Sequence, residues 1–182
     1  QLRRLLKFDF ELSNQFRLKS LHSPCWRWAV MISHSGDSWL WAAGAGLVWL
    51  LSWGNPVLHR FAAIVAVSIV FQALFVFALK QFIHRPRPNG DWGGIYRLYD
   101  PHSFPSGHAT RAVLLAVIAF SLGPAWFGWL LAAWTPLVCI SRVMTGLHFI
   151  SDILGGVLLG LLMGRLMVAA SPLLIQAAPF LF

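Results

Sequence analysis

Apolar residues fall into five blocks along the chain, at about 38–53, 58–79, 108–122, 125–140 and 150–170. A helix that crosses a bilayer core needs about 20 mostly apolar residues, with roughly 17 as the lower bound. The blocks therefore predict about five transmembrane helices. Gly54-Asn55-Pro56 and Gly123-Pro124 supply turns between them, because Gly and Pro punctuate helices. The block at 58–79 is interrupted only by His59, Arg60, Ser68 and Gln72, and the block at 108–122 is short. Between these two lies a polar stretch, 80–106, holding Pro86, Pro88, Asn89-Gly90, Gly93-Gly94 and Pro101. Residues 1–27 mix basic and apolar positions, among them Leu6, Phe8, Phe10 and Phe16. That mixture predicts an amphipathic helix lying in the membrane interface. The expected fold is all-α: one membrane-embedded domain over 1–182, a polytopic transmembrane helical bundle of about five spans plus an N-terminal interfacial helix.

Composition supports this picture. Hydrophobic residues make up 58% of the 182 positions and charged residues 11%, against about 25% charged in an average soluble domain. Most of the ten tryptophans, including Trp53, Trp92 and Trp126, fall near block ends, where an aromatic belt places them. Gly156, Gly160 and Gly164 repeat every four residues, which lets two helices pack closely; packing inside one bundle is expected. Cys25 and Cys139 form neither a disulfide framework nor a zinc pattern.

The net charge is +8, which alone would suit nucleic acid, an anionic membrane surface or an anionic substrate. Placement decides among them. Arg3, Arg4, Lys7, Arg17, Lys19 and Arg27 lie in the interfacial segment, and Lys80, Arg85, Arg87, Arg97 and Arg111 lie in or beside the polar stretch. No basic stripe interleaves with aromatics, so no nucleic-acid partner is expected. The two clusters read as a membrane-surface segment and an anion site. Five spans put the N-terminus, the 80–107 segment and the 141–151 connection on one side of the membrane.

Three clusters on that side carry chemistry. Lys80, Arg87 and Arg142 are cations without matching acids, so an anion is expected between them. Ser106-Gly107 precedes a span, and a helix N-terminus offers free N–H groups and the positive end of a dipole. His148 and Asp152 are four apart, which on a helix sets them on one face. A carboxylate on one ring nitrogen fixes the tautomer and leaves the other nitrogen to attack. His108 is a second imidazole, suited to protonating a leaving group. Such a set suffices for phosphoryl transfer without a metal, and no further metal ligands of convincing spacing accompany His148 and Asp152.

These clusters, Lys80-x6-Arg87-Pro88, Pro105-Ser106-Gly107-His108 and Ser141-Arg142-x5-His148-x3-Asp152, resemble the signature of the type-2 phosphatidic acid phosphatase superfamily at every fixed position. The resemblance covers about 80–152. It implies a metal-independent membrane phosphatase with no cofactor. His148 would be the nucleophile that forms a phosphohistidine, oriented by Asp152. His108 would protonate the leaving group and then activate water. Lys80, Arg87, Ser106, Gly107 and Arg142 would hold the phosphoryl oxygens, and Ser141 would support them. His84, Arg85 and Arg111 lie outside the fixed positions and are candidate headgroup contacts or structural residues.

The expected partners are membrane lipids and a lipid phosphate substrate: polyprenyl pyrophosphate, phosphatidylglycerophosphate, phosphatidic acid or lipid A. Similarity to small bacterial members favours the first. The expected location is a bacterial cytoplasmic (inner) membrane with the site facing outward, as is usual in the family, although the basic residues of the N-terminal segment favour the opposite side. An anion or lipid transporter would use the same cations but would not need two histidines and an acid at these spacings. It would also tend to show more spans or an internal repeat.

Overall fold

The computed structural model describes residues 2–89 and 93–182. Gly90 and Trp92, counted above as loop punctuation and aromatic belt, lie outside the described residues, as does the side chain of Arg3. The described residues form eight helices: α1 (Leu2–Phe16), α2 (Pro24–Ser35), α3 (Ser38–Leu51), α4 (Pro56–Ile83), α5 (Gly94–Tyr99), α6 (Gly107–Leu122), α7 (Ala125–Met144) and α8 (Ile150–Ala177).

Each of the five apolar blocks is one helix. α4, α7 and α8, of 28, 20 and 28 residues, are long and apolar enough to cross a membrane. α3 and α6 have 14 and 16 residues, about 21 and 24 Å at 1.5 Å per residue, short of a bilayer core of about 30 Å. α4 starts where Asn55 accepts from Leu58 N and Pro56 takes the first helical position, a combination of N-cap and N1 proline that favours initiation. It runs beyond the predicted end and carries Lys80 on its last turn. Large apolar side chains cover the outer surface, among them Leu51, Leu74, Leu158 and Leu162. An apolar surface this broad belongs in hydrocarbon.

The N-terminal 27 residues are not one helix. α1 ends at Phe16, and Ser23-Pro24 starts a second helix, with the Ser23 hydroxyl accepting from Trp26 N. α2 then packs against α7. In α1, Leu6, Phe8, Phe10 and Phe16 are exposed, while Ser13 is buried against the bundle. The apolar face thus points outward, as an interfacial helix requires.

α8 binds α6 through its glycines. A Cβ on Gly156 would stand 2.7 Å from Ser106 O, one on Gly160 would stand 2.5 Å from Thr110 O, and one on Gly164 would stand 2.8 Å from Val117 Cβ. The stripe serves close packing inside one bundle, as expected. It also brings the start of α6 to the start of α8, where Ser106 N donates to Asp152 O at 3.0 Å.

Candidate active site

The polar clusters meet at one end of the bundle, in a cavity of about 190 Å³ lined by Lys80, Asp100, Gly107, His108, Arg142 and His148, among others. Lys80 arrives on α4, Gly107 and His108 on the first turn of α6, and Arg142 on the last turn of α7. Gly146, at φ +69°, bends the chain after α7 in a conformation open to glycine, and Leu147 and His148 follow into the core, both 2% exposed or less.

His148 and Asp152 do not share a helical face. His148 precedes α8, and Asp152 sits in its first turn, where its Oδ2 accepts from Phe149 N at 2.8 Å. The four-residue spacing closes through this capping turn. His148 Nδ1 faces Asp152 Oδ2 at 3.4 Å, an approach too long and too poorly aligned to count as a formed hydrogen bond. On the other side of the ring, Arg87 Nη1 donates to Nε2 at 3.1 Å. Nε2 therefore carries a lone pair directed at the cations. Burial holds the His148 imidazole well below its usual pKa, and Arg87, Arg142 and Lys80 depress it further. The ring is neutral at pH 7.

The cations are buried and individually anchored. Arg142 donates to Ser33 Oγ at 2.6 Å. Arg87 donates to Leu147 O at 2.9 Å, to Asp100 O at 2.7 Å and to Asp100 Oδ2 at 2.8 Å, and Lys80 Nζ reaches that same Oδ2 at 2.5 Å. The Asp100 carboxylate thus lies where two of the cations expected to meet an anion converge. Ser106 is the N-cap of α6, yet its hydroxyl makes no capping bond, and its Oγ is buried without a partner. Buried polar atoms seldom stay unsatisfied, and a hydroxyl at a helix N-terminus is well suited to an oxyanion. Ser141 Oγ is used inside its own helix, donating to Val138 O at 2.7 Å. Among the described residues, no group of three or more His, Cys, Asp or Glu gathers as a metal would require.

The three residues outside the fixed positions separate. His84 is exposed and ends α4 in a left-handed conformation. Arg111 is buried and donates twice to Gly36 O, and also to Ser38 Oγ and Gln72 Oε1, which ties α6 to α3 and α4. Arg85 faces inward. Its guanidinium donates to Asp152 Oδ1 at 2.7 Å, Ser151 Oγ at 2.5 Å and Asp9 Oδ2 at 2.6 Å, and stacks 4.4 Å over the Phe149 ring. Sequence reasoning passed over three acids here: Asp9, Asp37 and Asp100. Asp37 accepts from His108 Nε2 at 2.8 Å. With six acids in the whole chain, each one near a span end was itself a signal.

The family profile described as "PAP2 superfamily" matches residues 61–175. The chain belongs to the PAP2 superfamily. Among related proteins, YbjG of Escherichia coli (strain K12), named as an undecaprenyl-diphosphatase on a provisional basis, is 26% identical over 121 residues. That match covers 65% of this chain and 60% of YbjG, so the chain spans about three-fifths of the relative. Among solved structures, the transmembrane PAP2-type phosphatidylglycerolphosphate phosphatase of Bacillus subtilis superposes with a TM-score of 0.65 and 26% identity, covering 93% of this chain and 87% of that one. LpxE of Aquifex aeolicus superposes with a TM-score of 0.64 over 87% of this chain and 93% of its own, at 22% identity, a likeness of fold.

Proposed function

We propose that the protein is an integral-membrane lipid phosphatase that works through a phosphohistidine. The observation that carries this reading is the neutral His148, with its Nε2 lone pair directed among Arg87, Lys80 and Arg142. A phosphoryl group held by these cations would be presented to Nε2. Its oxygens would also meet the Ser106 hydroxyl and the backbone at Gly107, so that charge developing in the transition state is stabilised. Nε2 attacks phosphorus, and the bond to the lipid oxygen breaks as His108 donates a proton. Asp152 supports the positive charge on His148. Water then gives its proton to His108, attacks phosphorus, and frees His148 as phosphate leaves.

The substrate fits an amphiphile. An apolar cavity of about 520 Å³, lined by residues that include Trp41, Ala45, Phe61, Val65, Leu115 and Phe127, lies deeper, among α3, α4, α6 and the start of α7. The first three of these helices also wall the polar cavity, through Ser38, Gln72 and His108. A phosphate at one end and a hydrocarbon tail at the other match that arrangement. We favour a polyprenyl pyrophosphate, as the name of YbjG suggests, over phosphatidylglycerophosphate, phosphatidic acid or lipid A. The assay is phosphate release in detergent with EDTA across these four lipids, beside His148→Ala. Release by the wild type alone supports the reading, and the ranking of rates names the lipid. Absence of release from every lipid refutes it.

We place the site on the outer face of a bacterial cytoplasmic membrane. A cysteine at the exposed Asn89, in a chain lacking Cys25 and Cys139, should react with an impermeant reagent in intact cells. Protection there would reverse the assignment.

A further inference from the structure

Asp37 occupies the N-cap position of α3 but does not cap it: its side chain makes no bond to the helix's own N–H groups. Aspartate at an N-cap ordinarily spends its carboxylate there. Here the carboxylate is turned to two imidazoles. Oδ1 stands 2.8 Å from His108 Nε2 and Oδ2 stands 3.0 Å from His34 Nδ1. The Asp37 and His108 side chains are 12% and 11% exposed, and that of His34 is 48% exposed. A carboxylate only accepts, so His108 Nε2 carries a proton and Nδ1 is the nitrogen that exchanges one.

The turn is built to hold this contact. Arg111, about one turn from the start of α6, clamps Gly36 O through both Nε and Nη2. A Cβ on Gly36 would stand 2.9 Å from His108 Cδ2, so the absence of a side chain lets the turn lie against the ring. The two histidines of the cavity thus face carboxylates through opposite ring nitrogens: His148 turns Nδ1 toward Asp152 at 3.4 Å, and His108 is held through Nε2 by Asp37 at 2.8 Å.

We propose that Asp37 is the positioning residue of His108, holding its ring and tautomer so that Nδ1 passes a proton to the leaving lipid oxygen and recovers one from water. The proposal rests on the phosphohistidine reading above. Charge and protons balance across the cycle. The bound phosphate monoanion supplies the proton that makes His108 an imidazolium; His108 passes it to the lipid oxygen as the phosphorus–oxygen bond breaks, and regains one from the water whose oxygen displaces His148. Asp37 stays a carboxylate throughout.

The test uses the full chain in detergent and two phosphate monoesters with the same long alkyl tail, one leaving as an alkoxide and one as an aryloxide. An aryloxide departs with little help from an acid; an alkoxide needs its proton. Asp37→Ala should lower kcat on the alkyl ester by on the order of 10²-fold, change the aryl ester only a few-fold, and leave both KM values in place. Asp37→Asn, whose amide oxygen can still accept the Nε2 proton, should show the same selectivity with a smaller loss, and serves if the alanine variant does not fold. Equal losses on the two esters, or a loss carried by KM, would overturn the proposal. His148→Ala run alongside separates the two readings. If it is inactive while Asp37→Ala loses both esters equally, only the assignment of Asp37 falls. If His148→Ala turns over at the wild-type rate, the phosphohistidine reading falls and the proposal with it.

Discussion

Removing the Arg85 guanidinium should damage the protein more than its place outside the fixed motif suggests. Arg85 joins Asp152, which is fully buried, to Asp9 on the interfacial helix, at 2.7 and 2.6 Å. Asp152 would keep Phe149 N at 2.8 Å and two longer approaches, from Ser103 Oγ and His148 Nδ1, each at 3.4 Å. Breaking a buried pair by deleting one partner costs about 3–5 kcal/mol, because a charge is left uncompensated. For a chain of this size about 1 kcal/mol corresponds to roughly 2–4 °C, so Arg85→Ala should lower Tm by about 6–20 °C. Arg85→Lys restores a charge but not the planar fork that spans two carboxylates, and should fall between. The measurements are thermal unfolding in detergent and kcat on the preferred lipid at a temperature where the variant is folded. There kcat should also drop, because Asp152 loses its anchor beside His148. A variant as stable and as active as the wild type would refute the claim that Arg85 organises the Asp152 carboxylate.

Three other perturbations read different parts of the site. Asp100→Ala frees Lys80 and Arg87 from the carboxylate they now share, so inorganic vanadate should inhibit several-fold more tightly; weaker inhibition would mean that Asp100 helps to build the cradle. Gly160→Ala drives a Cβ to 2.5 Å from Thr110 O, and overpacking of this kind costs about 1–3 kcal/mol, to be read as a lower Tm with reduced turnover as α6 and α8 part. His148 should stay neutral as pH falls through 6.5, because burial and three cations oppose its protonation; an imidazole titration by NMR with a midpoint at or above 6.5 would contradict the cation cradle.

The five apolar helices were legible because each is bounded by turn residues whose effect is local, such as Asn55-Pro56 and Gly123-Pro124. The break at Ser23-Pro24 was missed, because the scattered apolar positions on either side read as one interfacial helix. The convergence of Lys80, His108, Arg142 and His148 could be expected from their placement at the ends of antiparallel helices on one side. The partners of these groups could not be so read. Asp37 lies 71 residues from His108 and Asp9 lies 76 from Arg85. Nothing periodic links such positions, and only the packing of α1, α2 and α3 against the bundle brings them together. The His148–Asp152 spacing does bring the two side chains near each other, but through a capping turn and not through a shared helical face.

The most direct test of the mechanism is to trap the covalent intermediate. Protein mixed with lipid substrate labelled in the scissile phosphate, with EDTA present, should be quenched in base within one turnover. Label that stays on the protein in base, is released by acid, maps to the peptide containing His148 and vanishes in His148→Ala is the expected result. Turnover by the wild type with no protein-bound label, or label that persists in His148→Ala, would contradict a phosphohistidine at this position.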